Sequence, residues 1–412
     1  MNDLETYDVV IIGAGPSGAL ASSLLVQKGW KVLVLEQQQF PRFSIGESLL
    51  PQCMTYLADA NLVDVVDEQA DSLGFQFKNG AAFYRKGEYT TIDFTEKYTR
   101  GPDTTYQVKR ADFDKLIADN AQKQGAEIRY QQRVIDFSDE TSCAILHVQA
   151  DDQQSYKIKA RFVLDASGFG RVLPRLLNLD RPSSFPERSA YFGHFKDNIT
   201  DDSYDRNKIL ITVHPDHKDI WYWLIPFSDG TSSIGVVAEP KHFKESNSDD
   251  VLNHFIHQEP YLTALLANRE LLTKTRSITG YSADVETLHG KHFALLGNAG
   301  EFLDPVFSSG VTIALKSAHL IAPLLDKYLK GEVVDFEASY AEPLKVGVNC
   351  FKTFVNGWYD TRLQDVIFYE GQNIQIRQMI SAILAGYAWD TTNPYVTQSE
   401  RRLNVLAQLC QN

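Results

Sequence analysis

Cysteine is scarce in this chain. Only Cys53, Cys143, Cys350 and Cys410 occur, and no two form a C-x-x-C pair. That excludes a disulfide framework and a thiolate metal site, and it fits free or buried thiols in a reducing compartment. The histidines show no metal-ligand spacing, so no metal is expected, and no Ser-His-Asp arrangement can be argued. Basic residues are outnumbered: 40 Lys and Arg against 53 Asp and Glu leave a net charge of −13. Nucleic acid and anionic membrane surfaces are therefore poor partners. Long apolar runs are missing too. After the acidic start Met1-Asn2-Asp3-Leu4-Glu5, the first apolar run covers only Val9 to Ile12. It is too short for a secretory signal or an integral membrane segment, and a cytoplasmic protein is expected. There are no repeats and no low-complexity tracts.

What is present is an ordinary globular composition, 43% hydrophobic and 23% charged over 412 residues. That length suggests two or three compact units of ~150 residues each. The most informative stretch is Tyr7-Asp8-Val9-Val10-Ile11-Ile12-Gly13-Ala14-Gly15-Pro16-Ser17-Gly18. A β-branched run feeds a G-x-G-x-x-G turn, an apolar helix follows, and a second strand from Lys31 to Leu35 ends in Glu36. This βαβ context is that of a dinucleotide-binding loop. Gly13 permits the sharp turn, Gly15 lets backbone approach a pyrophosphate, and Gly18 lets the helix sit close to the sheet. The helix start offers free N–H groups to phosphates, and Glu36 offers a carboxylate to a ribose diol.

The remaining pattern is mixed α/β. The first helix is expected over Pro16 to Lys28 with Gly29 as its cap, and another is expected to begin near Glu47. Gly74 to Asp93 reads as strands, Arg110 to Gln124 as a helix, and Glu127 to Val134 as a strand. Cys143 to Val148 and Tyr156 to Leu164 read as a hairpin ending in Asp165-Ala166-Ser167-Gly168. Ser189 to Val237 alternates as an antiparallel sheet. His292 to Leu296 is a short strand leading into Gly297-Asn298-Ala299-Gly300. Ser309 to Lys330 keeps helical spacing, with a kink expected at Pro323. Asp335 to Asn412 reads as helical.

The three glycine-bearing turns, in this order, resemble the FAD-dependent monooxygenases and related oxidoreductases. The implied fold is α/β: a GxGxxG Rossmann-like FAD domain, an inserted antiparallel β-sheet substrate domain and a helical C-terminal segment. The FAD domain is discontinuous, over 1–75, 105–180 and 285–330. The substrate domain takes 76–104 and 181–284, and the helical segment 331–412. The resemblance implies FAD contacts from Gly13, Gly15, Pro16, Ser17, Gly18, Glu36, Arg42, Arg110, Val134, Asp165, Gly168, Asn298, Asp304, Gly310 and Val311. Asn298 stands where the family carries an aspartate, and it keeps the hydrogen bonding without the charge. The helix start at Ser309 and Gly310 aims N–H groups at the flavin and at a halide ion.

Narrower runs resemble the phenol- and pyrrole-type flavin-dependent halogenases. These are Phe40-Pro41-Arg42-Phe43-Ser44-Ile45-Gly46-Glu47-Ser48-Leu49-Leu50-Pro51, Trp221-Tyr222-Trp223-Leu224-Ile225-Pro226, Asp304 to Val311, Phe354 to Asp360 and Leu384-Ala385-Gly386. Trp221, Trp223 and Ile225 share one strand face. They are core, or they form a wall that keeps substrate from the flavin, and a wall requires that face to look toward the flavin. Lys78, within Gly74 to Phe83, is a solvated strand residue by base rate. By resemblance it is the catalytic lysine that presents electrophilic halogen to an electron-rich ring, and burial would favour its neutral amine. Phe307, where tryptophan halogenases have Glu, points to a phenolic or carrier-bound aromatic substrate. FADH2 would come from a separate reductase. An aromatic hydroxylase, a geranylgeranyl-reductase-like dehydrogenase and a flavin-binding protein without turnover are the competing readings.

Overall fold

In the computed structural model, residues 4–243, 248–371 and 373–410 are described. Residues 1–3 of the acidic start and 411–412 of the helical C-terminal stretch lie outside them. The apolar strand Glu5–Ile12 occupies the middle of a seven-stranded sheet, with Val32–Leu35 and Glu127–Arg129 on one side. Ser155–Asp165 lies on its other side, followed by the antiparallel strands Ala144–Ala150 and Gln132–Asp139. Phe293–Leu295 pairs in parallel with the last turn of Ser155–Asp165. Val9 to Ile12 are at most 4% exposed, as expected for parallel strands covered on both faces.

Register then does the positioning. Ile12 lies opposite Leu35 and Asp165, and Asp165 lies opposite Leu295. The turn at Gly13, the carboxylate of Glu36, the turn at Gly168 and the turn at Gly297 therefore leave one sheet edge together. That edge is the carboxyl end of the parallel strands, where open α/β sheets bind ligands.

A second, eight-stranded sheet follows the order Glu270–Leu271, Ser189–Lys196, Thr231–Ala238, Trp221–Pro226, Lys208–Val213, Gly80–Arg85, Glu88–Asp93, with Arg276–Thr279 also on Ser189–Lys196. Its pairs are antiparallel except Lys208–Val213 with Gly80–Arg85, which runs parallel. Gln76–Lys78 and Thr105–Gln107 form a separate ribbon. The helices Glu342–Tyr359, Arg362–Phe368, Ile374–Leu384 and Ser399–Cys410 complete the chain. Trp358, Phe351 and Phe354 are fully buried in the large core that includes the seven-stranded sheet.

Three expectations need correction. No helix begins near Glu47: Ser48 bridges Gln107 as an added strand residue, and the helix is Gln52–Asp59. Pro51 explains this, because the residue before a proline is pushed toward extended backbone. The strand over Glu127 to Val134 breaks at Gln131, where φ is +59°, so that its two halves pair with different neighbours. The first helix ends at Val26; Gly29 at φ +84° accommodates the turn that follows. Ser309–Leu329 forms as expected, with Pro323 inside it.

Candidate active site

A cavity of about 760 Å³ opens at that sheet edge and runs between the two sheets. That is the scale of a small-molecule or cofactor site. Gly13, Gly15, Pro16, Ser17 and Glu36 line it at one end. Gly13 has φ +97°, and a Cβ there would stand 2.7 Å from the carbonyl oxygen of Ala166. Gly18 does not line the cavity. Its own Cβ would meet the Gly13 carbonyl oxygen at 2.0 Å, so a glycine here lets the helix start fold back on the turn. Glu36 is 5% exposed and accepts from the amides of Ala14 and Gln38, each at 2.9 Å. The loop is thus held in shape by the acid expected to meet a ribose.

Two arginines flank this end, and one carboxylate orients both. Arg42 reaches Asp114 at 2.6 Å, and Arg110 forms two bonds with it at 2.8 and 3.0 Å. Arg110 also donates to the carbonyl of Ile45 at 2.6 Å. Asp114 is 1% exposed, and two guanidiniums against one carboxylate leave one positive charge beside the glycine loop. Val134, Gly168, Asn298, Gly310 and Val311 line the same cavity. These residues offer what a flavin dinucleotide needs: a glycine cradle, a net cation near the phosphates, and amides at the far end.

The second sheet closes the other side. Trp221, Trp223 and Ile225 all face the cavity, so the strand face read as either core or wall does look toward the nucleotide loop. Trp221 Nε1 donates to Tyr359 at 2.9 Å, and Tyr359 donates to Asp304 at 2.9 Å. The Arg188 guanidinium stacks 3.5 Å from the centre of the Tyr359 ring. Trp223 Nε1 donates to Ser233 at 3.1 Å.

Known proteins share this arrangement. The family described as FAD binding domain matches residues 6–335. A flavin-dependent halogenase of Armillaria mellea is 30% identical over 366 residues, 84% of this chain and 69% of that protein. The chain belongs to the flavin-dependent halogenase family. The pyrrole-2-carbonyl carrier-protein brominase of Pseudoalteromonas luteoviolacea (strain 2ta16) is 28% identical and covers 95% of this chain and 94% of its own. Among solved structures, a protein titled flavoprotein/dehydrogenase from Cytophaga hutchinsonii superposes with a TM-score of 0.94 at 40% identity, covering 99% of each chain. This halogenase-family chain is an FAD-dependent oxidoreductase, and FAD is its cofactor.

Lys78 of this family member lies outside the cavity wall, one side chain away from it. It is 1% exposed, and its Nζ donates to Ser48 Oγ and to the Leu49 carbonyl, each at 2.8 Å. Ser48 itself lines the cavity. Burial pushes the Lys78 ammonium down to about 7, with the Cys53 thiol acting weakly the other way. The Phe94 ring stands 5.5 Å from Nζ. A lysine with no carboxylate hydrogen-bond partner among the described residues, its ammonium lowered to about 7 by burial, has the chemistry of a nucleophile available to it.

Three expected residues sit behind the wall. Asp165 is fully buried and accepts from the amides of Ser167 and Leu173, which shape the second turn. Asp304 caps Val306 and holds Tyr359 and Tyr281; burial pushes its carboxyl up, against those hydrogen bonds. Ser309 is 1% exposed, and it is Ser308, at φ +55°, that lines the cavity beside Gly310. Phe307 packs edge-on against Trp358 at 5.8 Å.

Sequence reasoning missed Asp114, Tyr359, Ser48, Glu47 and His194. Asp114 lies four residues after Arg110 on one helix, a visible ion-pair spacing. Glu47 and Ser48 lie in the halogenase-like run Phe40 to Pro51, but the helix expected near Glu47 hides the extended backbone that gives them their partners. Tyr359 lies in the halogenase-like run Phe354 to Asp360, but its partners Trp221 and Asp304 could not be read from it, and His194 carries no local signal because it meets Glu47 across 147 residues.

Proposed function

We propose that this protein is a flavin-dependent halogenase acting on an electron-rich aromatic ring, phenolic or carried on a carrier protein. Bound reduced FAD supplies electrons which, with O2 and a halide, yield hypohalous acid. The observation that carries the reading is Lys78: a fully buried, readily deprotonated amine whose Ser48 partner faces the flavin cavity. Hypohalous acid leaving the cavity meets Ser48 and then Nζ, and the amine holds the halogen for the ring. Gly13, Gly15, Arg42 and Arg110 hold the dinucleotide, and Asn298, Gly310 and Val311 meet its flavin end. Gly310 and the adjoining Ser309 amide are the halide site. Trp221 and Trp223 keep the ring away from the flavin. A separate reductase delivers FADH2, and the enzyme works in the cytoplasm. The residue blocks 1–75, 105–180 and 285–330 act as the FAD unit, 76–104 and 181–284 as the substrate unit.

The test uses a flavin reductase, NADH, bromide and a panel of phenols, with mass spectrometry for the bromine isotope doublet. Wild type gives the doublet. Lys78→Ala loses it while FAD binding and peroxide release persist. A Lys78→Ala variant that still brominates refutes the assignment. The 40% identity to a protein titled flavoprotein/dehydrogenase favours a second reading, dehydrogenation. A substrate-dependent bleaching of bound FAD without O2 or halide would establish that one instead.

A further inference from the structure

The fold sets one carboxylate into the wall of the flavin cavity and leaves it half satisfied. Glu47 lines the cavity and is 1% exposed. Its Oε1 lies 2.6 Å from Nε2 of His194, while its Oε2 is buried with no partner among the described residues. The backbone around it is fixed: the Glu47 carbonyl accepts from the amide of Val108 at 2.7 Å, and Leu49 N donates to Tyr106 at 3.2 Å. Both Glu47 and Ser48 border the cavity, but consecutive side chains of this extended segment take different partners. Ser48 meets Lys78, and Glu47 meets His194 on the other side. His194 lies on Ser189–Lys196 between the rings of Phe43 and Phe227, 6.0 and 5.8 Å away. Its side chain is 23% exposed, so the pair runs from a partly solvated imidazole to the buried cavity wall.

The charged groups around this pair are few and mostly engaged. Burial acts most strongly to lower the His194 imidazole, and Lys109, tied to Asp229, and Arg276, stacked on Phe43, act the same way. The Glu47 hydrogen bond and charge outweigh all three and hold it above its ordinary value. Arg110 reaches the neighbouring Gly46 carbonyl but is committed to Asp114.

Halide oxidation consumes a proton. The balance is FADH2 + O2 + X⁻ + H⁺ → FAD + HOX + H2O: flavin and halide give two electrons each, and dioxygen takes four. We infer that Glu47, reprotonated by His194, delivers that proton to the cavity. The inference rests on the halogenase reading above. Oε2–H gives its proton to the cavity, the carboxylate regains one at Oε1 from His194 Nε2, and a half-turn of the carboxyl restores Oε2–H, which has no competing partner among the described residues.

The experiment compares wild type, Glu47→Gln and His194→Gln. In the FAD-free protein, histidine titration by NMR gives the His194 midpoint, assigned from the spectrum that His194→Gln lacks. Glu47→Gln should lower it by at least one pH unit. FAD affinity, by fluorescence titration, should stay within twofold of wild type in both variants. In single turnover, photoreduced enzyme is mixed with O2 and bromide, and the return of oxidised-flavin absorbance is followed. At pH 8 Glu47→Gln should be slower by about 100-fold, the low end for a lost general acid. The wild-type rate should fall as His194 deprotonates, and the fall should be absent in both variants. A rate and pH profile like wild type in Glu47→Gln would overturn the inference. So would a slow rate accompanied by a tenfold loss of FAD affinity, which marks a structural role. Wild type is scored first in the bromination assay. No bromination there overturns the halogenase reading and this inference with it; bromination with an unaltered Glu47→Gln overturns this inference alone.

Discussion

Replacing Lys78 with methionine should make the FAD-free protein more stable at neutral and acidic pH and less stable at alkaline pH. Burial lowers the Lys78 ammonium from 10.5 to about 7. Below pH 7 the folded protein holds a buried charge, and the shift of about 3.5 units corresponds to a penalty of about 5 kcal/mol. Between the two values the folded form is neutral while the unfolded form still binds the proton. Folding then releases a proton, and wild-type stability rises by about 1.4 kcal/mol per pH unit from this group alone. Methionine removes the penalty but strands Ser48 Oγ and the Leu49 carbonyl, which costs about 2 kcal/mol together. The net effect is about +3 kcal/mol at pH 6.5, falling through zero near pH 9 and turning negative above it. In a chain of this length each kcal/mol moves Tm by about 1 °C. Calorimetry of both proteins across pH 6 to 10 should show Tm differences of about +3 °C at the acid end and a change of sign. A Tm difference that does not vary with pH would refute the reasoning, because it would mean that Lys78 keeps its ordinary affinity for protons in the fold.

Further outcomes follow from the same geometry. In Asp114→Asn the two arginines lose their shared anion, which should destabilise the FAD-free protein by about 3 kcal/mol. A dinucleotide pyrophosphate supplies replacement charge, so the rise in Tm on adding FAD should exceed that of wild type; an equal or smaller rise would count against the arginines facing the phosphates. In Gly235→Ala the new methyl would stand 2.3 Å from the Trp223 ring and drive it toward the cavity. FAD affinity should fall by about tenfold, with a loss of 1–3 kcal/mol in stability, about what overpacking costs; unchanged affinity by fluorescence titration would mean that Trp223 yields elsewhere.

The nucleotide half of the site was legible because its signals are local. A β-branched run, three glycines and an acid 18 residues on specify strand, turn, helix and strand with no help from distant chain. The strand face of Trp221, Trp223 and Ile225 was legible as a face, since period-two alternation is local too, but not its direction. Only pairing with Lys208–Val213 and Thr231–Ala238 turns that face to the cavity. The segment around Glu47 was misread because its hydrogen bonds go to Tyr106 and Val108, some sixty residues on, and outweigh the helical look of its composition. The Glu47–His194 contact was invisible for the same reason, and Lys78 was reached through resemblance alone. Lys78 reads as an ordinary strand lysine until Ser48 and Leu49 are brought over it.

The tie from Trp221 through Tyr359 to Asp304 spans three stretches of chain, and Tyr359 lies beyond residue 335, where the match to the FAD-binding family ends. The boundary seen by family resemblance is therefore not a boundary of the machinery. A hybrid that keeps residues 6–335 and borrows the remaining helices from a relative without a tyrosine at this point would leave an indole N–H without its acceptor and a buried carboxylate with only Val306 and Tyr281 as donors. Exchange of parts between such enzymes should succeed only when the last helices travel with the tryptophan they support.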